Sequence, residues 1–308
     1  MRAIRQYEFG GPDTLRYEDI PDPTPGAGQV RIEVHASGVH LIDATLRAGR
    51  QEGPPLPSLP TTPGREVAGV VTSPGPWSGK RVVAHLGLAG GGYASVAVAP
   101  VSALHEIPAS MSYEAAVALI GTGRTAEAIL SEVVALKRGD VVLLPGAAGG
   151  LGILLTQAAA AAGATVVGLA GGPAKTARVA ADTVIDYTEP GWEERVPAGT
   201  VLLDGTGGAV GRALFERMSP GGRVVLFGWS SGRPFTFDVG DLFRLGVTVS
   251  CAIGARIAAW PGGMRALETA ALARRWVPAT TTFPLADAAG AHVAMESRQT
   301  VGKTVLIP

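Results

Sequence analysis

The apolar positions of this chain change rhythm twice. Up to about Pro108 they come in short runs broken by turns. Residues 15–19 lead into a proline-rich stretch at 20–26, and VRIEVHA within 29–36 alternates apolar and polar side chains as a half-buried strand does. Residues 67–72, 81–84 and 93–98 read as further strands, so this part is expected to be a β-dominated, barrel-like lobe. Helical spacing begins at Ser112, a capping residue for a helix running toward Leu119, and resumes over 125–136. From Val141 onward, strand-length runs at 141–144, 165–169, 183–185, 201–203, 224–227 and 247–251 are separated by segments long enough for crossover helices. That alternation predicts a doubly wound parallel sheet. A helix-like segment at 263–275 follows, and then a helix at 285–296 and a strand at 302–307 return to the style of the first lobe. The expected organisation is a catalytic domain in two parts, 1–115 and 254–308, with a nucleotide-binding α/β domain inserted at 116–253.

The most informative stretch runs from Val141 to Gly172. An apolar strand turns through Gly146-Ala147-Ala148-Gly149-Gly150-Leu151-Gly152, continues as an Ala/Leu helix to Gly163, and is followed by a second β-branched run. Strand, glycine turn, helix and strand form the unit that seats a dinucleotide pyrophosphate on a helix N-terminus. Gly146, Ala148, Gly149, Gly150 and Leu151 are therefore candidate cofactor contacts, with Gly149 leaving room for the ligand and Gly152 letting the helix pack on the strand. No charge appears between Asp140 and Lys175, which also suits a membrane span. Pro145 and the glycine cluster interrupt the continuous helix that a span needs.

An NAD-binding unit normally ends its second strand in an acid that grips the ribose 2′-hydroxyl. Here the strand runs out as Gly168-Leu169-Ala170-Gly171-Gly172, and Lys175 follows, with Arg178 beyond it. A carboxylate would repel a 2′-phosphate, whereas a lysine would meet it, so the pattern favours NADPH over NADH. The plainer reading of Lys175 is a solvated residue at a helix start, and both readings stay open.

Composition narrows the remaining classes. The 308 residues are 46% hydrophobic and 17% charged with zero formal net charge, which suits a globular enzyme and gives nucleic acid or an anionic membrane no basic patch to bind. Cys251 is the only cysteine, so no intrachain disulfide or cysteine-rich zinc lobe can form. The N-terminus has no apolar core of signal-peptide type, and a cytoplasmic location is the default expectation.

Taken in order, the motifs resemble a known family. MRAIRQYEFGGPDTLRYEDIPDPTPGAGQVRIEVHASGVHLIDATLRAG opens the chain, and PGREVAGVV (63–71), GGYASV, GTGRTA, PGAAGGLG, LAGGPAKTARVA, VIDY, SPGGRVVLFG and the closing VGKTVLIP follow. The chain resembles the zinc-independent quinone oxidoreductase, zeta-crystallin-like branch of the medium-chain dehydrogenase/reductase superfamily. The resemblance implies a Rossmann domain inserted into a GroES-like catalytic domain, NADPH as cofactor, and a homodimer associating through the edge strand at 247–251. It also implies cofactor contacts at Thr125, the Gly149 to Leu151 loop, Gly172, Lys175, Tyr187, Phe227, Gly228 and Arg298. Tyr187 taken alone reads as a half-buried packing residue.

The same resemblance identifies what is missing. Zinc alcohol dehydrogenases hold catalytic zinc with a cysteine after the early strand and a histidine ahead of a glutamate; this chain has His40 and Arg65 there. A guanidinium cannot ligate zinc and repels it, so a zinc-free enzyme is expected. The proton-relay hydroxyl of those enzymes falls at Ile42, which has none. Asp43 and Arg65 are expected to pair and fill the space, although Asp43 also reads as a turn acid. His40 is the candidate proton donor or acceptor-binding group, with a structural hydrogen-bonding role as the plainer reading. Arg47 and Arg50 lie where a Gly/Pro-rich surface loop is expected; they suit an anionic acceptor or, more simply, solvent.

The implied activity is hydride transfer from NADPH to a small-molecule quinone or α,β-unsaturated carbonyl. An enoyl-thioester reductase of a biosynthetic pathway is the alternative within enzymes. A non-catalytic NADPH-binding structural or regulatory protein is the alternative outside them.

Overall fold

The alternation in VRIEVHA is realised as a strand whose Val30, Ile32 and Val34 point into the core of the first lobe, with Ala36 buried as well. The computed structural model describes residues 1–51, 54–254, 259 and 263–308. Two compact units emerge: residues 1–121 with 278–308, and residues 122–277. The limits drawn from the sequence lie at 115/116 and 253/254.

The first unit opens with β1 (Arg2–Gln6) and β2 (Leu15–Asp19), an antiparallel pair. β3 (Gln29–Val39), α1 (Leu41–Arg47), β4 (Glu66–Val71), β5 (Arg81–His85), β6 (Val96–Pro100) and β7 (Leu104–Glu106) follow, and α2 (Tyr113–Ala128) begins within this unit. Valine dominates its interior: Val30, Val34, Val67, Val71 and Val82 pack with Ile32 and Leu104. Each such side chain contributes roughly 1.5–3 kcal/mol when withdrawn from water.

In the second unit β8 (Val141–Pro145), α3 (Gly150–Ala161), β9 (Thr165–Ala170), α4 (Pro173–Thr176), β10 (Thr183–Asp186), β11 (Gly199–Asp204), α5 (Gly208–Phe215), β12 (Met218–Leu226), α6 (Val239–Leu245) and β13 (Thr248–Cys251) alternate as expected, before α7 (Gly263–Ala273). Among the described residues the sheet has the order β10-β9-β8-β11-β12-β13, parallel throughout. Leu143, Leu202, Phe215 and Val224 lie at its centre. No helix of the described residues is long and apolar enough to cross a membrane.

The chain then returns to the first unit through β14 (Thr280–Pro284), α8 (Ala288–Glu296) and β15 (Lys303–Ile307). β15 joins β3 antiparallel, giving the order β14-β15-β3-β4-β5-β7 with β6 also on β3.

α2 and the segment at 263–277 differ from the sequence expectation. The two short helices around Gly121 and Gly123 are one continuous α2, ending in a turn of π-helix at Ile129–Val133. Residues 263–277, assigned from sequence to the C-terminal catalytic part, pack instead in the second unit. Arg124 on α2 pairs with Glu268 on α7 at 2.8 Å, Arg274 pairs with Glu127, and Gln157 exchanges two hydrogen bonds with the backbone of Val277. Such side-chain pairings across long sequence separations leave no periodicity to read.

Candidate active site

The glycine turn is built as the sequence implies. Gly146 has φ +71°, and Gly149 is the extended cap before α3, with Ala147 and Ala148 buried beneath the turn. At Gly152 a β-carbon would overlap the carbonyl of Gly146 and sit 2.7 Å from Ala147 Cα, so only glycine lets α3 close on the turn. This cradle fits a pyrophosphate: the α3 amides at Gly150 and Leu151 are without intrahelical acceptors and lie half-buried at the positive end of a twelve-residue helix. Gly152→Ala is expected to cost about 1–3 kcal/mol through overpacking and to weaken dinucleotide binding in parallel. Thermal melts with and without NADPH test this; a variant with unchanged melting and binding would remove the packing argument.

The other candidate cofactor residues of the second unit gather at the same end of its sheet. Gly172 (φ +85°) and Lys175 lie beyond β9, Tyr187 follows β10, and Phe227 and Gly228 follow β12, all at carboxyl ends of parallel strands, where such sheets bind ligands. Tyr187 lies against Gly171, where a β-carbon would come within 2.9 Å of its ring, and packs edge-on to Trp192. Thr125 lies on α2. Arg298 belongs to the first unit, just after α8, exposed and with the unusual φ of 61°.

Sequence reading missed Asp186. Its Oδ1 accepts hydrogen bonds from the Gly172 amide and from the amide and hydroxyl of Thr188, and these donors, the hydroxyl first, hold its pKa below the ordinary value. The carboxylate is thus committed to shaping the turn that carries Lys175.

The first unit holds a buried charged cluster. β3 runs between β15 and β4, and Lys303 and Glu66 reach each other across Gly38, with Nζ 2.8 Å from Oε2. Glu66 Oε1 lies 2.5 Å from His40 Nε2. Both contacts have ion-pair distances but angles outside hydrogen-bond geometry. Gly38 and Gly121 make the room, since a β-carbon at either would overlap a Glu66 oxygen; this is why a helix with two glycines continues unbroken. Burial opposes ionisation of Glu66, but the His40 and Lys303 charges outweigh it and hold its carboxyl well below the usual range. For His40 burial dominates and Lys303 adds to it, so its pKa falls and the imidazole is neutral at pH 7.

A second chain of polar groups starts at α1. Asp43 accepts from the His40 amide at 2.8 Å and from Tyr93 Oη at 3.2 Å, and it pairs with Arg65 Nε at 3.2 Å. The ion pair expected from sequence is present, and Asp43 is also the turn acid. Tyr93 Oη meets His292 Nε2 at 3.1 Å, His292 Nδ1 meets Arg47 Nη1 at 3.2 Å, and Arg47 grips Glu296 with both terminal nitrogens. Only one proton assignment satisfies every member: Arg47 donates to Nδ1, Nε2–H donates to Tyr93, and Tyr93 donates to Asp43. The surface loop expected around Arg47 is therefore a helix, and Arg47 is a 4% exposed structural residue. Leu41 and Ile42 begin that helix, and neither side chain carries a hydroxyl for a relay.

Comparison with known proteins defines first the class. Residues 26–109 match the alcohol dehydrogenase GroES-like domain, and residues 150–269 match the zinc-binding dehydrogenase domain. The fold is that of a medium-chain dehydrogenase/reductase. The chain is 31% identical over 328 residues to a quinone oxidoreductase of Pseudomonas aeruginosa, covering 100% of this chain and 99% of that one. It is 32% identical over 332 residues to a 2-haloacrylate reductase of a Burkholderia species, covering 98% and 97%. The structure of Escherichia coli quinone oxidoreductase complexed with NADPH superposes with a TM-score of 0.86 at 28% identity, over the whole of both chains. This chain belongs to the quinone oxidoreductase family of the medium-chain dehydrogenase/reductase superfamily.

Proposed function

We propose that this chain, an NADPH-dependent oxidoreductase by family and by its dinucleotide turn, reduces quinones or α,β-unsaturated carbonyl compounds without zinc. One observation carries the reading. The two places that hold zinc in zinc alcohol dehydrogenases are His40 and Arg65, and both are engaged by the carboxylates of Glu66 and Asp43, with Lys303 supplying a further cation. Two fixed cations make this cluster hostile to a divalent metal. An acceptor that is already electron-poor needs no such metal, and NADPH, when bound, supplies the hydride.

The work left to the protein is binding, orientation and a proton. Gly149, Gly150 and Leu151 offer amides to the pyrophosphate, and Lys175 offers a cation to the 2′-phosphate. Thr125, Tyr187, Phe227, Gly228 and Arg298 are the remaining proposed cofactor contacts. His40, neutral and joined to Glu66, is the proposed site at which a proton is held for the acceptor. The 2-haloacrylate reductase among the relatives fits an acceptor with a conjugated double bond.

Lys175→Ala is expected to weaken NADPH binding about 10- to 100-fold through loss of a charge-assisted contact, and to leave NADH binding nearly unchanged. Equal loss for both nucleotides would show that Lys175 does not read the phosphate. Association as a homodimer along β13, the outermost strand of its sheet, is part of the same proposal, and Phe243 on α6 is 85% exposed. A single monomeric species in light scattering at micromolar concentration would remove it. The reading as a whole is tested by mixing the protein with NADPH or NADH and following absorbance loss on adding a quinone, then an enone. Fast loss with NADPH supports it; tight binding without turnover on either acceptor points to a thioester substrate or to a binding role.

A further inference from the structure

Arg65 has more binding capacity than the fold uses. Its side chain is 15% exposed and reaches Asp43 through Nε alone; among the described residues, Nη1 and Nη2 meet no acceptor. Asp43 is 2% exposed and fixed in turn by Tyr93 and the His40 amide, so the guanidinium is held from one edge. A guanidinium held through Nε alone leaves Nη1 and Nη2 as a planar fork for a ligand. Two parallel N–H donors match the two oxygens of a carboxylate, whereas a lone carbonyl oxygen uses one.

The charges around it agree. Asp43 and Glu66 are balanced by Arg65 and Lys303, and His40 is neutral, so an incoming anion finds a balanced cluster with one group able to take up an offsetting proton. That group shares with Arg65 the carboxylate of Asp43, His40 through its backbone amide and Arg65 through Nε.

We propose that Arg65 receives the carboxylate of the acceptor, with Asp43 as its positioning residue, so that the preferred substrates are α,β-unsaturated carboxylic acids rather than neutral quinones. This rests on the reductase reading above and names its substrate class. The test pairs crotonate with crotonamide, which differ in charge at nearly equal size, as acceptors for the NADPH-loaded protein. Butyrate and butyramide serve as the matching saturated ligands in inhibition and thermal-shift measurements.

The expected result is a kcat/KM at least about 10-fold higher for crotonate, with butyrate alone inhibiting competitively and raising the melting temperature. Arg65→Gln is expected to raise the KM for crotonate about 10- to 100-fold and to abolish the butyrate shift. Because that variant leaves Asp43 buried without its cation, Arg65→Lys, which keeps the charge but not the fork, is the companion, with an intermediate KM. Asp43→Asn is expected to raise the KM for crotonate more than it lowers kcat.

Equal use of crotonamide, or no effect of butyrate, overturns the proposal even where a quinone or neutral enone is reduced. A butyrate shift lost in Arg65→Gln, with no acceptor reduced, upholds the carboxylate site and overturns the reductase reading instead.

Discussion

Glu66→Gln is expected to destabilise the first unit by about 3–5 kcal/mol, the cost of leaving a buried charge without its partner. Lys303 is 5% exposed, and among the described residues Glu66 is its only ion-pair partner. Glu66 itself is fully buried but has two neighbours, Lys303 and His40, so Lys303→Met leaves a carboxylate that His40 can still balance by taking up a proton. The order of cost is therefore Glu66→Gln above Lys303→Met. The double variant Glu66→Gln/Lys303→Met should recover most of the single loss, because removing both charges leaves neither one buried without its partner. Calorimetric melting of the four proteins measures the coupling. If the double variant is as unstable as the sum of the singles, the two side chains do not act as a pair. The depressed carboxyl of Glu66 adds a pH signature: its contribution is complete above the unfolded value near 4.5 and is lost as pH falls toward the lower folded value.

This cluster also marks how far the sequence could be read. The glycine turn at Gly146–Gly152 was legible because local rules govern it: a strand-length run, glycines at fixed spacing and a helix-length segment must be contiguous to work. The parallel sheet was legible for the same reason, through its alternating elements. The Asp43–Arg65 pair could be anticipated from two positions that share one role in relatives. Lys303 and Glu66 could not, because they lie 237 positions apart and meet only where β15, β3 and β4 come into register over Gly38. Even the glycines of α2 gave the wrong signal. Read locally, Gly121 breaks a helix; in the structure its missing β-carbon admits Glu66 and the helix continues. Local chemistry writes itself in consecutive residues, whereas a buried ion pair is specified by tertiary register.

His292 is expected to make the protein acid-sensitive over a defined window. Its ring is fully buried, and burial, reinforced by the neighbouring Arg47 cation, lowers its pKa from 6.5 to about 4. Above pH 6.5 neither folded nor unfolded chain protonates it, and its contribution to stability is complete. Between pH 6.5 and 4 the unfolded chain takes up a proton that the folded chain does not, so stability falls with pH by roughly 3 kcal/mol in total. Below about pH 4 both states carry the proton and the slope from this residue ends. The structural cause is the one-way chain of donors: a proton on Nδ1 would face the N–H of Arg47, and the Arg47, His292, Tyr93, Asp43 sequence would lose its first link.

His292→Gln offers one acceptor and one donor in a neutral group and should flatten this limb, whatever its cost at pH 7. Urea unfolding of both proteins at pH 7, 6, 5 and 4 gives the difference curve, in which contributions common to the two proteins largely cancel. A difference that stays constant across that range would show that His292 is protonated in the fold. Since Asp43 lies at the far end of the chain and orients Arg65, protonation of the folded ring, which sets in only near pH 4, should loosen the guanidinium, and the affinity for butyrate should fall more steeply near pH 4 in the wild type than in His292→Gln.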